Sequence, residues 1–141
     1  MSRDAVVLIG VQMAGAIVLS IPALTLIGAC AGWVPALGTA LGGLAVWMFW
    51  GRRQPERLQR AHIRKLALGS GLAHGLGAGA VYGLVYLVQP SWFDFGPVAL
   101  LALVPAIGLG AGGLALALTL VAGDGAAAAL GIALEPPTTT R

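Results

Sequence analysis

The sequence predicts an all-α integral membrane protein. Four transmembrane helices form two antiparallel hairpins joined by a basic cytoplasmic loop. Three observations predict this. The 141 residues are 58% hydrophobic and 9% charged, and the mean hydropathy is +0.91. The apolar residues gather into four long stretches. Once four spans are drawn, every Lys and Arg falls on one side. A soluble domain carries about 25% charged residues. Eight basic and five acidic side chains are too few to clothe this chain in water. Disorder is excluded as well, because it needs low hydrophobicity and high charge.

The first span covers residues 5–30 and contains no charge. At 1.5 Å per residue it is roughly 39 Å long, against ~30 Å of hydrocarbon. It must tilt or bend. Pro22 is the expected bend, since its ring clashes with the carbonyl of Val18 and removes a hydrogen bond. Ser20 is near enough to help satisfy the freed backbone. Ile27, Gly28, Ala29 and Cys30 have the form of a bacterial lipobox. The apolar run is about 22 residues, whereas a signal h-region is roughly 7 to 15. Cys30 is therefore read as a small buried hydrophobe. It is the single cysteine, so no internal disulfide forms.

The second span, residues 35–50, is only about 24 Å long, with Pro35 suited to its first turn. The connection before it, residues 31–34, is tight, so the first two helices are expected side by side. The third span covers residues 66–88 and the fourth 98–121. The short polar linker between them makes a second hairpin. Strands of a membrane barrel alternate apolar and polar residues. These runs are continuous and rich in Leu, Ala and Gly, as helices in lipid are. Residues 122–141 read as a short cytoplasmic tail, partly disordered. Its apolar piece, residues 126–134, is too short to span and fits an interfacial helix.

Charge sets the orientation. Arg3 precedes the first span, and Arg141 ends the chain. Arg52, Arg53, Arg57, Arg60, Arg64 and Lys65 lie between the second and third. The opposite loops hold only Asp94. The positive-inside rule then puts both termini in the cytoplasm, with the chain in the bacterial inner membrane. Trp33 and Trp92 fall at the outer ends, and Trp47 and Trp50 at an inner end, as an aromatic belt does. The basic segment reads as a helix from Pro55. Arg53, Arg57, Arg60 and Arg64 recur there at helical spacing, giving one positive stripe that attracts anionic lipid headgroups. Membrane lipids are the partner of these charges, and no nucleic-acid partner is expected.

The third span carries Gly71, Gly75, Gly79 and Gly83, each four residues from the last, so all lie on one helix face. Such a glycine zipper lets another helix approach closely. The fourth span answers with Gly108 and Gly112, and with Ala102, Ala106 and Gly110. The second adds Gly38 and Gly42. Residues 75–79 and 108–112 share the string Gly-Leu-Gly-Ala-Gly. The ladder resembles the rotor-ring subunits of ATP synthases, whose helices pack through repeated glycines. Those subunits need an ion-binding carboxylate in mid-membrane, and none of these spans contains Asp or Glu.

Polar residues inside the spans are few. His74 sits in the third span, with Ser70 one turn earlier on the same face. Gln12 sits in the first and Thr119 in the fourth. Intramembrane ionisable residues are functional candidates by default. His74 could ligate haem, relay a proton or contact a quinone. Its simpler role is a neutral imidazole bonded to a neighbouring helix. Tyr82 and Tyr86 flank the glycine face. No phosphate loop, HExxH, CxxC or GxSxG occurs. No metal site or cofactor is expected.

These features predict a noncatalytic accessory or stabilising subunit of a larger membrane complex, acting by helix packing. Its partners are other transmembrane subunits or further copies of itself. Two alternatives are a small oligomeric transporter or channel, and a haem- or quinone-binding anchor built on His74.

Overall fold

The computed structural model describes residues 2–27, 34–92 and 96–134. The described residues are helical apart from short connections. The helices are α1 (Arg3–Ile27), α2 (Val34–Arg53), α3 (Arg60–Val88) and α4 (Pro97–Ala129). Single 3-10 turns cover Pro55–Leu58 and Pro90–Trp92. All four long helices are apolar and long enough to cross a membrane. Cys30, Trp33 and Asp94 lie outside the described residues.

The helix starts follow local chemistry. Pro97 opens α4, and Pro35 is the second residue of α2. At these positions the missing N–H has no helical partner to lose. Pro22 and Pro105 lie inside α1 and α4. The Ser20 hydroxyl donates to the Ala16 carbonyl at 2.6 Å, so it serves its own turn rather than the carbonyl of Val18.

Two segments differ from the sequence reading. The stretch from Pro55 is not one helix. A 3-10 turn ends at Gln59, whose φ of −73° and ψ of 141° are extended, and α3 begins at Arg60. The break lets Leu58 turn inward to 1% exposure, beneath Gly51. The expected arginine stripe is thereby split between elements. Residues 122–129 are also no loose tail, and residues 135–141 of the expected tail lie outside the described residues. α4 continues to Ala129, with Ala122, Gly123, Ala126 and Ala127 buried. Asp124 interrupts nothing because it points outward. Gly131, at φ 65°, then ends the helix. Ile132 N–H donates to Ala127 O at 2.9 Å and Gly131 N–H to Ala128 O at 3.2 Å, a Schellman cap.

Contacts between α1 and α2, and between α3 and α4, are the most extensive, and α2 also lies along α4. The core is concentrated at the end that carries the basic segment. There Ala5, Leu8 and Ile9 of α1 meet Val46, Trp47 and Trp50 of α2, with Ile63 and Leu66 of α3. Ala122 and Ala126 of α4 complete it, and Ile132 and Leu134 fold back against it. Trp47 stands edge-on to Trp50 at 5.4 Å, an arrangement aromatic pairs favour.

Candidate functional site

Small residues bring the helices together. A methyl group placed on Gly75 would stand 2.7 Å from the Gly108 carbonyl oxygen, and one on Gly112 would stand 2.7 Å from that of Gly71. The reverse contacts are 3.0 Å for Gly108 and 2.9 Å for Gly71. The glycine hydrogens in those places therefore point at carbonyl oxygens of the facing helix, as weak Cα–H···O contacts do. Gly79 and Gly83 meet Val104. The ladder on α3 thus faces α4 of the same chain. Of the two matching Gly-Leu-Gly-Ala-Gly strings, the first touches the second through Gly75, which lies against Gly108 and Gly112. Gly110 meets nothing, and Ala102 and Ala106 are exposed. Gly38 and Gly42 serve a different contact. Gly38 lies against Gly15 and Ala16 of α1, and Gly42 against Val11 and Gln12.

The close approach buries a polar cluster where α1, α3 and α4 meet. Gln12, Ser70 and Thr119 are all 0% exposed. Gln12 Nε2 donates to Thr119 Oγ1 at 2.8 Å. Ser70 Oγ donates to Gln12 Oε1 at 2.7 Å. The Thr119 hydroxyl reaches both Ser70 Oγ, at 3.2 Å, and the Ala115 carbonyl, at 2.7 Å. Each side chain therefore has a partner, as buried polar groups require. Gly43 of α2 makes room, since a methyl there would stand 2.9 Å from Gln12 Nε2. The sequence marks Gln12, Ser70 and Thr119 as polar residues in apolar spans, but nothing in it signals the part of Gly43.

His74 extends the cluster. Its Nδ1 lies 2.9 Å from the Ser70 carbonyl and 3.4 Å from Ser70 Oγ. Its Nε2 is buried without a hydrogen-bond partner. His74 also lines a groove between the α1–α2 and α3–α4 pairs, about 720 Å³ in volume. A second groove of about 720 Å³ lies along α3 and α4, lined by Gly71, Gly75, Gly108 and Gly112 with Leu72 and Leu109. Its leucines are strongly exposed. Tyr82 lines the first groove, and Tyr86 lies one turn further along α3.

The basic residues divide by environment. Arg57 Nη1 donates to Asp4 Oδ1 at 2.6 Å and stacks over Trp50 at 5.2 Å. His62 Nε2 lies 3.7 Å from the other Asp4 oxygen, and its ring is edge-on to Trp47. Arg53 covers the Phe49 ring at 4.6 Å. Arg52, Arg60, Arg64 and Lys65 are exposed. The Asp4–Arg57 pair had no signal in the sequence, because it joins positions separated by two helices.

No group of three or more His, Cys, Asp or Glu able to hold a metal occurs among the described residues. The chain matches no protein-family model, no curated protein and no solved structure.

Proposed function

We propose that the chain is a four-span protein of the bacterial inner membrane, with two antiparallel hairpins and both termini cytoplasmic. In this reading it acts without catalysis, as an accessory or stabilising subunit of a larger membrane complex. The groove along α3 and α4 carries the reading. The glycines that meet α4 by one edge line this groove by the other, and exposed leucines border it. Its apolar floor of small residues suits a transmembrane helix of another chain or of a second copy. The glycine zipper is thus given two roles, one within the chain and one beyond it. Exposed Arg52, Arg60, Arg64 and Lys65 face the headgroups in this placement.

Extraction in mild detergent tests the role. The tagged chain is expected to bring down a stoichiometric membrane partner. Gly113 lines the same groove and a methyl there meets nothing within 4 Å. Gly113→Leu should therefore release the partner and leave the fold intact. A chain that runs alone as a monomer under these conditions would overturn the role. A transport pathway draws less support, because Gln12, Ser70 and Thr119 bond to one another.

A further inference from the structure

We propose that the groove between the two helix pairs is a binding site for a membrane-soluble molecule with a long apolar body and at least one hydroxyl. That hydroxyl donates to Nε2 of His74. The inference rests on the membrane placement above, and not on the accessory role.

The chemistry of the imidazole selects this ligand. The Ser70 carbonyl can only accept, so the 2.9 Å contact requires the proton on His74 Nδ1. In the neutral ring Nε2 is then an acceptor. It has no partner and no surface open to water, so a ligand in the groove reaches it by displacing the side chains that cover it, while the other polar side chains of the cluster are satisfied by one another. The orphan acceptor belongs to a residue that lines the groove. Tyr82 and Thr39 also line it, the Thr39 hydroxyl donating to the Pro35 carbonyl of its own helix, and most of the other walls are apolar, among them Met13, Ile17, Val81, Ile107 and Leu118. A volume near 720 Å³ lies within the range of roughly 300–1,000 Å³ typical of small-molecule sites. The walls come from all four helices, so the ligand sits between the pairs.

The same geometry rejects near relatives. A quinone, ketone or ester carries acceptors only and leaves Nε2 unpaired. A quinol or a lipid alcohol such as a diacylglycerol supplies the donor. Sites built around a hydroxyl discriminate strongly against analogues that lack it. The site therefore favours the reduced form of a quinone pair over the oxidised one.

The test uses the full chain in lipid nanodiscs with isotope-labelled histidine. Only His62 and His74 contribute imidazole signals, and His74→Gln assigns them. If that variant does not fold, His62→Gln makes the assignment instead. Two probes are titrated, decylhydroquinone and dioctanoylglycerol, each beside the ether in which every hydroxyl is methylated. At least one hydroxyl probe should shift His74 Nε2 saturably, and its ether should bind at least about tenfold more weakly. Whichever probe binds more tightly identifies the source as quinol or lipid alcohol. Gly77→Leu, which fills the groove from α3, should weaken that binding by a similar factor. The proposal is overturned if neither hydroxyl probe moves Nε2, or if the ethers act equally. It also fails if the purified protein shows a Soret band, since iron would then occupy Nε2. Partner recovery in detergent is read separately, so the accessory role and this site can fail independently.

Discussion

Gln12 Nε2 donates to Thr119 Oγ1 at 2.8 Å, joining two fully buried side chains that stand 107 positions apart in the chain. This bond ties the first helix to the last, and Ser70 closes the group from the third. Gln12→Leu should destabilise the fold by about 1–3 kcal/mol, because it strands the groups it leaves behind. A double-mutant cycle with Thr119→Val should give a coupling near the average of about 0.6 kcal/mol found between membrane helices, and no more than the maximum of about 1.7 kcal/mol. Ser20→Ala is the control, since that hydroxyl bonds only its own helix. Reversible unfolding in mixed micelles measures all of these.

Gly75→Ala should push α3 from α4, because the new methyl meets backbone, which cannot swing away. A loss of about 1–3 kcal/mol is expected from such overpacking. Gly110→Ala meets nothing and should be neutral or stabilising by up to ~1 kcal/mol through helix propensity. Thermal melting in detergent distinguishes the two. Equal effects would remove the packing contact as the cause.

Gly123 and Gly51 predict a contrast within one core. A methyl on Gly123 would stand 2.7 Å from Cγ2 of Ile63, whose branched side chain is stiff about χ1. One on Gly51 meets the terminal methyls of Leu58 and Leu130, the far ends of flexible side chains. Gly123→Ala should therefore lower the melting temperature more than Gly51→Ala.

The Asp4–Arg57 pair is short but partly wet, with side chains 25% and 29% exposed. A cycle through Asp4→Asn and Arg57→Gln should give no more than about 1 kcal/mol. The coupling should shrink as salt rises. A value that ignores salt would argue that the stack of Arg57 on Trp50, rather than the ion pair, dominates.

Orientation is checked with cysteine probes in a Cys30→Ala background. Gln54 and Ser91 are both exposed. Gln54→Cys should react with a membrane-impermeant maleimide only from the cytoplasmic side, and Ser91→Cys only from the other. The reverse pattern would invert the topology.

Much of this architecture was legible because it rests on period and composition. Four apolar runs of helical length appear in any hydropathy reading, and the helices over them follow. The glycine spacing was legible for the same reason. What escaped was decided by single contacts between distant positions. Residues 122–129 read as part of a tail that contains Asp124. One exposed carboxylate does not stop a helix whose opposite face, Ala122, Gly123 and Ala126, is buried. The arginine spacing implied one stripe, but burial of Leu58 broke the helix at Gln59. Gln12, Ser70 and His74 stood out as polar residues in apolar spans. Their mutual bonding depends on how close the glycines let the helices come, a distance that no linear pattern contains.

The ladder between α3 and α4 repeats every four residues, so it behaves like a rack with identical teeth. Sliding one helix by a full turn would set Gly75 opposite Gly112 and Gly79 opposite Gly108, with small residue still facing small residue. A repeating track cannot choose its own stopping point. Ser70 and Thr119 occur once each along the two helices, and Gln12 reaches both only where they coincide. The polar trio is therefore the pin that selects one notch, and the glycines are the rail on which it is set.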